Sequence, residues 1–138
     1  MNLSLEHRLL VLLAHGSRDP RWRKPFETLV QQADLCDKAP RTQVALAYME
    51  MSSPSFQEVI SSAMATLPVS AVLHVKVLPL FMAMGAHLTH DVPPMCEALM
   101  AQYPGRLTIE QAPALGETPA AQQVFLQVIQ GYLSNPLT

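Results

Sequence analysis

The fold is decided by the segment Arg8–Pro20, which reads RLLVLLAHGSRDP. After Arg8, an unbroken apolar run extends from Leu9 to Ala14, as expected for a parallel β-strand covered on both faces. Asp19 and Pro20 follow after a short loop. They predict the start of a helix, because aspartate caps a helix and proline suits its first position. A buried strand followed so closely by a helix predicts an α/β protein.

The same strand-to-helix alternation continues to the end of the chain. Three further strands are predicted, over Gln43–Met49, Ala71–Leu80 and Arg106–Ala112. Three further helices are predicted to start at Ser53-Pro54, near Leu88 or Asp91 with Pro93 and Pro94 in the first turn, and at Thr118-Pro119. This order predicts one domain over residues 1–138, with a mainly parallel four-stranded sheet and helices on both faces.

The composition fits a globular domain without nucleic-acid or membrane partners. Hydrophobic residues make up 49% of the 138 residues and charged residues only 14%, so the chain can bury a sizeable core. The formal net charge of −2 gives no electrostatic reason to bind nucleic acid or an anionic membrane. The apolar run Leu9–Ala14 is too short for a signal sequence or a membrane span. Cys36 and Cys96 form no CxxC pair, so a cytoplasmic protein with idle thiols is expected.

Two histidines are predicted to lie at the same edge of the sheet. His15 immediately follows the first strand, and the loop that carries His87 follows the third. In open parallel sheets, ligands bind beyond the carboxyl ends of the strands. The positions of His15 and His87 therefore predict a functional site at this edge.

The first of these histidines begins the sequence His15-Gly16-Ser17-Arg18. Glycine permits a sharp turn, and Ser17 and Arg18 can hydrogen-bond an anionic ligand near the N-terminus of the following helix. The alternative is a histidine that only ends the strand or satisfies a buried carbonyl group. This segment alone supports both interpretations equally.

The second histidine closes the apolar segment PLFMAMGAH, Pro79–His87. An apolar loop at the carboxyl end of a strand suits a cavity for a large hydrophobic ligand, which Met84 and Gly85 would contact. The alternative is a buried crossover with packed methionines, which is the usual environment of this residue.

The remaining histidines are weaker candidates. His90 lies three residues after His87 and could share a helix face with it, although an exposed position in a first helical turn is favoured. A position in mid-strand favours a structural role for His74. His7 precedes the first strand and belongs to no motif.

Glu50 is the candidate acid–base group. It ends the second strand, where its carboxylate could accept a proton or orient a histidine. It could equally cap the helix region that begins near Ser52 and Ser53. Both roles remain open.

Three blocks of the sequence occur in an order that is typical of one enzyme family. They are LLAHGSRDP at Leu12–Pro20, YMEMSSPS at Tyr48–Ser55, and PLFMAMGAH at Pro79–His87 followed by Asp91-Val92-Pro93. These blocks resemble the sirohydrochlorin chelatases of the small, single-domain CbiX type, the class II chelatases. The family pattern is similar to LxxHGSRxP, then a Glu two residues after an aromatic residue, then PLFLxxGxHxxxDIP. The resemblance covers most of the chain.

The resemblance implies a three-layer α/β/α chelatase-like fold and the insertion of a divalent metal ion into sirohydrochlorin. Co²⁺ is the favoured metal, with Fe²⁺ and Ni²⁺ as alternatives. The resemblance further implies that His15 and His87 are catalytic and handle the metal, that Glu50 lies near them, and that the chain forms a homodimer. The metal is a substrate here, so no tightly bound cofactor is expected. The chain also lacks a GxxxxGK[ST] nucleotide loop.

The chemistry of chelation suits these residue types. Neutral imidazole binds borderline metal ions such as Co²⁺, and its ordinary pKa of about 6.5 lets it accept protons as well. Arg18, with Lys24 or Lys76, would hold the carboxylates of the tetrapyrrole. Ala86 departs from the family pattern, in which a basic residue is frequent at this position, and Ser53 stands where an acidic residue is common.

Two other functions are compatible with the sequence. A non-catalytic carrier of metal or tetrapyrrole could use the same scaffold. A phosphate-handling hydrolase could use the segment His15–Arg18, but the single glycine there makes a poor anion-binding loop.

Overall fold

Four parallel strands form one sheet in the order β2-β1-β3-β4. The structure is a computed structural model that describes residues 6–135, apart from the side chain of His87. Its elements are β1 (Glu6–Ala14), α1 (Pro20–Asp34), β2 (Thr42–Tyr48), α2 (Phe56–Thr66), β3 (Val72–Pro79), α3 (Ala86–Gln102), β4 (Leu107–Gln111), the 3-10 turn Leu115–Glu117 and α4 (Pro119–Ser134). The predicted α/β class with a parallel four-stranded sheet is confirmed.

One face of the sheet carries the main hydrophobic core. Val11 and Val77, from the two central strands, are fully buried on this face. They pack in one cluster with Phe56 and Ile60 of α2 and with Val92 of α3. Because strand side chains alternate between faces, the apolar residues at every second position of β1 and β3 fill this core. Two helices therefore cover this face of the sheet.

On the other face of the sheet, α1 packs beside β2. Tyr48 of β2 points to this face, and the ring of Trp22 in α1 lies 6.4 Å from its ring. Over β3 and β4, an open groove of about 410 Å³ remains, lined by Arg8, Leu10, His74, Lys76, Thr108 and Glu110. We call this surface the sheet groove.

The predicted helix starts are confirmed at α1 and α4 and wrong at α2 and α3. The side chains of Asp19 and Thr118 accept hydrogen bonds from backbone N–H groups of the first turns of α1 and α4. α2 is capped by Ser55 instead of Ser53, because the Ser55 hydroxyl accepts the N–H of Glu58 at 3.1 Å. It starts at Phe56.

α3 begins at Ala86, before the predicted start. The carbonyl of Gly85 accepts both the backbone N–H and the hydroxyl of Thr89 at 3.0 Å, so a first turn forms ahead of the prolines. Pro93 and Pro94 lie inside the helix and not in its first turn. Within residues 6–135, no helix has both the length and the apolar character needed to cross a membrane.

Candidate functional site

The carboxyl ends of three strands are hydrogen-bonded to one another around His15. The N–H of Glu50, which follows β2, donates to the carbonyl of His15 at 3.0 Å. The N–H of Leu80, which follows β3, donates to the carbonyl of Leu13 at 2.8 Å. The segments that leave β1, β2 and β3 therefore start side by side, at the edge where ligands bind in parallel sheets.

Gly16 makes the approach of the first two segments possible. Its φ of +106° lies in the region that residues with a side chain rarely adopt. A Cβ at this position would overlap the carbonyl oxygen of Glu50. Glycine is thus required both by the backbone conformation and by the proximity of Glu50.

Hydrogen bonds to its own chain fix the backbone of Ser17. Its N–H donates to the hydroxyl oxygen of Ser52 at 3.0 Å, and the Ser52 hydroxyl donates to the Ser17 carbonyl at 2.7 Å. The Ser17 hydroxyl oxygen accepts the N–H of Asp19 at 3.1 Å, and Arg23 donates to the Ser17 carbonyl at 3.2 Å. Arg18, by contrast, is exposed and forms no ion pair within residues 6–135. Arg18 is therefore better placed than Ser17 to contact an anionic ligand.

The imidazole of His15 packs against an aromatic ring. Its centroid lies 4.2 Å from that of Phe81, with the planes tilted by 35°. Phe81 is 6% exposed and packs in a small cluster with Leu88 and Ala114. His15 itself is exposed, so one side of its ring rests on a fixed surface while the residue remains accessible to a ligand.

The apolar loop after β3 is held by the 3-10 turn. The N–H of Gly116 donates to the carbonyl of Phe81 at 2.8 Å, and a Cβ on Gly116 would overlap the backbone of Met82. The N–H of Met84 donates to the carboxylate of Glu117 at 2.8 Å. This loop leads directly into the turn of α3 that carries His87.

Sequence reasoning missed the residues that hold the site together. Gly116 and Glu117 lie in a short 3-10 turn that has no hydrophobic periodicity, and the sequence predicts for Ser52 only a place near a helix cap. The signal for the first pair was a Gly-Glu sequence just before the cap Thr118. The role of Phe81 as the partner of His15 was not predicted either.

His87 is the second residue of α3, and its side chain lies outside the described part of the structure. The backbone places it at the same edge of the sheet as His15, while the pairing of the two imidazoles stays a prediction. Gly85 is the N-cap residue of α3, and Met84 is partly buried next to it. Glu50 is exposed, and Ser55, not Glu50, caps α2. A role in proton transfer therefore stays open for Glu50.

Two of the other candidates lie away from this edge. Lys76 is in the middle of β3, where its ammonium group lies 3.6 Å from the carboxylate of Glu110 in the sheet groove. It is therefore not placed to hold a ligand at His15. His74 hydrogen-bonds Thr108 at 2.8 Å and lies 3.7 Å from Glu6, as expected for a structural histidine on a sheet face.

His90 and Lys24 are exposed on α3 and α1. For His90, this agrees with the predicted position facing solvent. Among the side chains that the structure describes, no three His, Cys, Asp or Glu residues converge as a possible metal cluster. The imidazole of His15 and the carboxylate of Glu50 are two exposed donors at this edge.

The sequence is similar to one protein family and to curated proteins that share one name. The sequence model of the CbiX family matches residues 9–132. Two curated proteins named sirohydrochlorin cobaltochelatase match parts of the chain. The one from Methanothermobacter thermautotrophicus is 33% identical over 84 residues, and the one from Methanopyrus kandleri is 31% identical over 86 residues. These segments cover 61% and 62% of this chain, but only 54% and 56% of the two relatives, so the chain spans about half their length.

A solved structure is similar over almost the whole chain. It is the crystal structure of a protein described as a cobalamin (vitamin B12) biosynthesis CbiX protein, from Marinobacter aquaeolei. The sequences are 32% identical and the TM-score is 0.73, with 92% of this chain and 98% of the other covered. Both the sequence and the fold therefore relate the chain to the same set of proteins.

Proposed function

The chain belongs to the CbiX family, and on that premise we propose that it inserts a divalent metal ion, Co²⁺ first among the candidates, into sirohydrochlorin. The observation that carries the proposal is the position of His15. Its exposed imidazole rests on Phe81 at the point where three strands end together. The curated relatives that match the chain carry the name sirohydrochlorin cobaltochelatase, which supports both the tetrapyrrole and the metal.

The proposed reaction replaces two pyrrole N–H protons by one metal ion bound to four ring nitrogens. His15 and His87 bind the metal and deliver it to the face of the macrocycle. Two imidazoles hold a divalent ion weakly enough to release it, unlike a closed site of four protein ligands. Two protons leave for each metal inserted, and His15, His87 and Glu50 are the groups that accept them.

The tetrapyrrole is held by its carboxylates and by apolar contacts. The guanidinium of Arg18 is exposed two residues before the first turn of α1, where the positive end of the helix also favours an anion. The Ser17 hydroxyl oxygen already accepts one hydrogen bond, but the hydroxyl can still donate its proton to the substrate. Met84 and Gly85 lie next to His87 and contact the macrocycle in this proposal.

The metal, the energy source and the compartment are parts of the same proposal. Imidazole ligands suit Co²⁺, Fe²⁺ and Ni²⁺ alike, so Fe²⁺ or Ni²⁺ in a sirohaem or nickel tetrapyrrole pathway are the alternatives to Co²⁺. No nucleotide takes part in the proposed scheme, and no tightly bound cofactor is needed. The proposed compartment is the cytoplasm, where reducing conditions keep Cys36 and Cys96 as thiols.

We propose further that two copies of the chain form a homodimer. The resemblance to the small single-domain chelatases supports this assembly, because longer relatives fuse two such units.

The test is the absorbance of sirohydrochlorin under anaerobic conditions, with catalytic amounts of the purified protein and Co²⁺, Fe²⁺ or Ni²⁺ in turn. The proposal predicts multiple turnovers to the metallated spectrum, at a rate above that of metal alone, and fastest with Co²⁺. A spectral change that stops at one equivalent of protein would instead identify a carrier. No change with any metal would contradict a role in this chemistry.

A further inference from the structure

Two methionines at the carboxyl edge of the sheet are largely exposed. Met51 is 61% exposed and Met82 is 67% exposed. Met51 directly follows Glu50, whose N–H donates to the carbonyl of His15 at 3.0 Å. Met82 directly follows Phe81, whose ring packs against the imidazole of His15. We call Met51 and Met82 the methionine pair. Both of its members therefore lie next to residues that contact His15.

The backbone at Met51 has an uncommon conformation. Its φ of +62° lies in the left-handed region that favours glycine. The N–H of Ser52 donates to the carbonyl of Glu50 at 2.8 Å, so these three residues form a γ-turn with Met51 at its tip. A γ-turn whose central residue has positive φ is rare and strained, and glycine would adopt it at a lower cost. The stability of the turn therefore does not explain a methionine at this position.

Contacts with the segment after β1 hold this turn in place. The hydroxyl of Ser52 donates to the Ser17 carbonyl at 2.7 Å and accepts the Ser17 N–H at 3.0 Å. The carbonyl oxygen of Glu50 occupies the space that a Cβ on Gly16 would need. An unfavourable backbone conformation persists where its surroundings fix it, and such residues cluster at functional sites. Met51 therefore presents an apolar side chain from a fixed turn.

Met82 has a comparable position in the loop after β3. The carbonyl of the preceding residue, Phe81, accepts the N–H of Gly116 at 2.8 Å. A Cβ on Gly116 would overlap the backbone of Met82, so the two segments are in close contact there. The backbone of Met82 is thus held against the 3-10 turn although the residue is largely exposed. Both methionines combine a fixed backbone with an exposed apolar side chain.

The strand order places the methionine pair on opposite sides of His15. β2 and β3 are the two neighbours of β1 in the sheet. Met51 follows β2, whereas Met82 follows β3. Because adjacent strands lie about 4.8 Å apart, the two strands that lead to the pair are separated by about 10 Å. A flat ligand that spans this distance would contact both methionines and cover the imidazole between them.

We propose that the methionine pair binds the conjugated ring of the tetrapyrrole and holds it over His15. This inference rests on the proposed function and deepens it, because it assigns two residues to the recognition of the substrate. The ring of a tetrapyrrole is large and apolar, and pockets for such ligands are lined mainly by apolar side chains with a few polar groups. The thioether of methionine makes favourable contacts with π-systems, and its unbranched side chain adapts to the surface that it meets.

The methionine pair complements the charged residue that is assigned to the same ligand. In this proposal Arg18 binds carboxylates at the rim of the tetrapyrrole, whereas Met51 and Met82 cover the ring itself. The ring is apolar both before and after metal insertion, so these contacts stabilise the substrate and the transition state alike. The pair should therefore determine the affinity for the tetrapyrrole and leave the rate of the insertion step unchanged.

The first test is the affinity for metal-free sirohydrochlorin, measured by its fluorescence under anaerobic conditions. The double variant Met51→Gln with Met82→Gln keeps the length of both side chains and replaces each thioether by a polar amide. We expect the Kd to rise about tenfold for each methionine, since burial of such a side chain contributes roughly this factor or more. An unchanged Kd in this double variant would overturn the proposal.

Two matched variants show whether an apolar contact at this edge is responsible. The double variant Met51→Leu with Met82→Leu keeps the apolar surface and should retain most of the affinity. Val69 is an exposed apolar residue between α2 and β3, at the opposite edge of the sheet. Val69→Gln should bind as tightly as the unaltered chain. A loss of affinity in Val69→Gln equal to that in the glutamine double variant would contradict a specific role of the methionine pair.

Met51→Gly separates binding from folding. Glycine accepts the positive φ of the γ-turn, so Met51→Gly should unfold at a higher urea concentration than Met51→Ala. Both variants remove the thioether and should lose affinity for sirohydrochlorin to the same extent. A Met51→Gly chain that binds sirohydrochlorin with the unaltered Kd would overturn the role of this side chain.

The second test is the dependence of the insertion rate on the concentration of sirohydrochlorin. The glutamine double variant should raise the KM and leave kcat close to that of the unaltered chain, as expected for contacts that bind substrate and transition state equally. A lower kcat at unchanged KM would contradict this role. The mass in solution, measured by analytical ultracentrifugation, should be the same for both proteins. A lower mass for the double variant would show that the methionine pair lies between copies of the chain, and would overturn the proposal.

The binding and insertion assays distinguish this inference from the proposed function. Binding that is weaker in the glutamine double variant, without metal insertion by the unaltered chain, would support the methionine pair and contradict the proposed activity. Insertion by the double variant at the unaltered KM would support the activity and contradict the methionine pair. An unaltered chain that binds no sirohydrochlorin would overturn both.

Discussion

The imidazole of His15 and the ring of Phe81 lie 4.2 Å apart, centroid to centroid, across the ends of two neighbouring strands. Phe81 is buried, and its carbonyl is bound by the N–H of Gly116. The histidine at the candidate site is therefore positioned by a packed ring that belongs to a different segment of the chain. This dependence makes Phe81 a positioning residue in the proposed chelatase.

Replacing Phe81 separates its effect on stability from its effect on His15. Phe81→Ala should destabilise the protein by about 3–5 kcal/mol, because it opens a cavity in the cluster around Leu88 and Ala114. Phe81→Leu should cost less and leave the chain folded, but it removes the aromatic ring beside the imidazole. The measurement is the NMR resonance of the His15 ring protons, which should shift in Phe81→Leu while those of His90 do not. An unchanged His15 resonance would show that the two rings are not in contact.

Gly16→Ala should be more damaging than an alanine at another glycine with positive φ. At Gly16 the added Cβ meets both an unfavourable φ of +106° and the carbonyl oxygen of Glu50. Gly105 has a φ of +72° but open space around it, so Gly105→Ala incurs only the conformational cost of about 1 kcal/mol. Urea unfolding of both variants measures the difference. Equal losses of stability would mean that the approach of Glu50 is unimportant.

Glu117→Ala should loosen the loop before His87. The carboxylate of Glu117 accepts the N–H of Met84 at 2.8 Å, and Glu117→Ala removes this acceptor. Hydrogen exchange of the Met84 amide should be faster in Glu117→Ala. Glu117→Gln keeps an acceptor oxygen and should lie between this variant and the unaltered chain. Exchange at an unchanged rate in Glu117→Ala would argue against this hydrogen bond.

Burial should make the two cysteines react differently. Burial raises the pKa of the Cys96 thiol from its ordinary value near 9.0 to about 11, whereas Cys36 is exposed. At neutral pH we expect a thiol reagent to label one cysteine in the folded chain and two after unfolding, with Cys36→Ser as the control that labels none when folded. Because its folded pKa is raised, Cys96 contributes stability that is complete below pH 9 and is lost as the pH rises toward 11. Rapid labelling of Cys96 in folded protein would contradict its burial.

The fold could be predicted from the sequence because its strongest signals are local. The apolar run to Ala14 predicts a strand, and the caps Asp19 and Thr118 predict helix starts. Each signal depends only on residues that are close together in the sequence. The sequence alone does not determine the start of α2, because Ser53 and Ser55 are both competent caps and only the bond from Glu58 selects Ser55. The start of α3 is equally ambiguous, because prolines are typical of a first turn but Pro93 and Pro94 lie inside this helix.

The candidate site was predictable only in part, for a physical reason. Parallel strands share a carboxyl edge, so His15, Glu50 and the backbone of His87 could be assigned to one edge in advance. The side-chain contacts that fix this edge join residues far apart in the chain, such as Met84 and Glu117. The periodicity of apolar residues along the sequence does not predict contacts between such distant residues. The ion pair between Lys76 and Glu110 could not be predicted from the sequence either. Lys76 lies in the middle of β3, where it contacts Glu110 and is remote from the candidate site.

If His15 handles the metal together with His87, the initial rate of Co²⁺ insertion into sirohydrochlorin depends on both imidazoles. His15→Ala and His87→Ala should each lower this rate by about 100-fold or more, the usual contribution of a group that transfers protons. His90→Ala, an exposed histidine on the same helix as His87, should retain the rate of the unaltered chain. A folded double variant, His15→Ala with His87→Ala, that inserts Co²⁺ at the unaltered rate would show that neither histidine handles the metal.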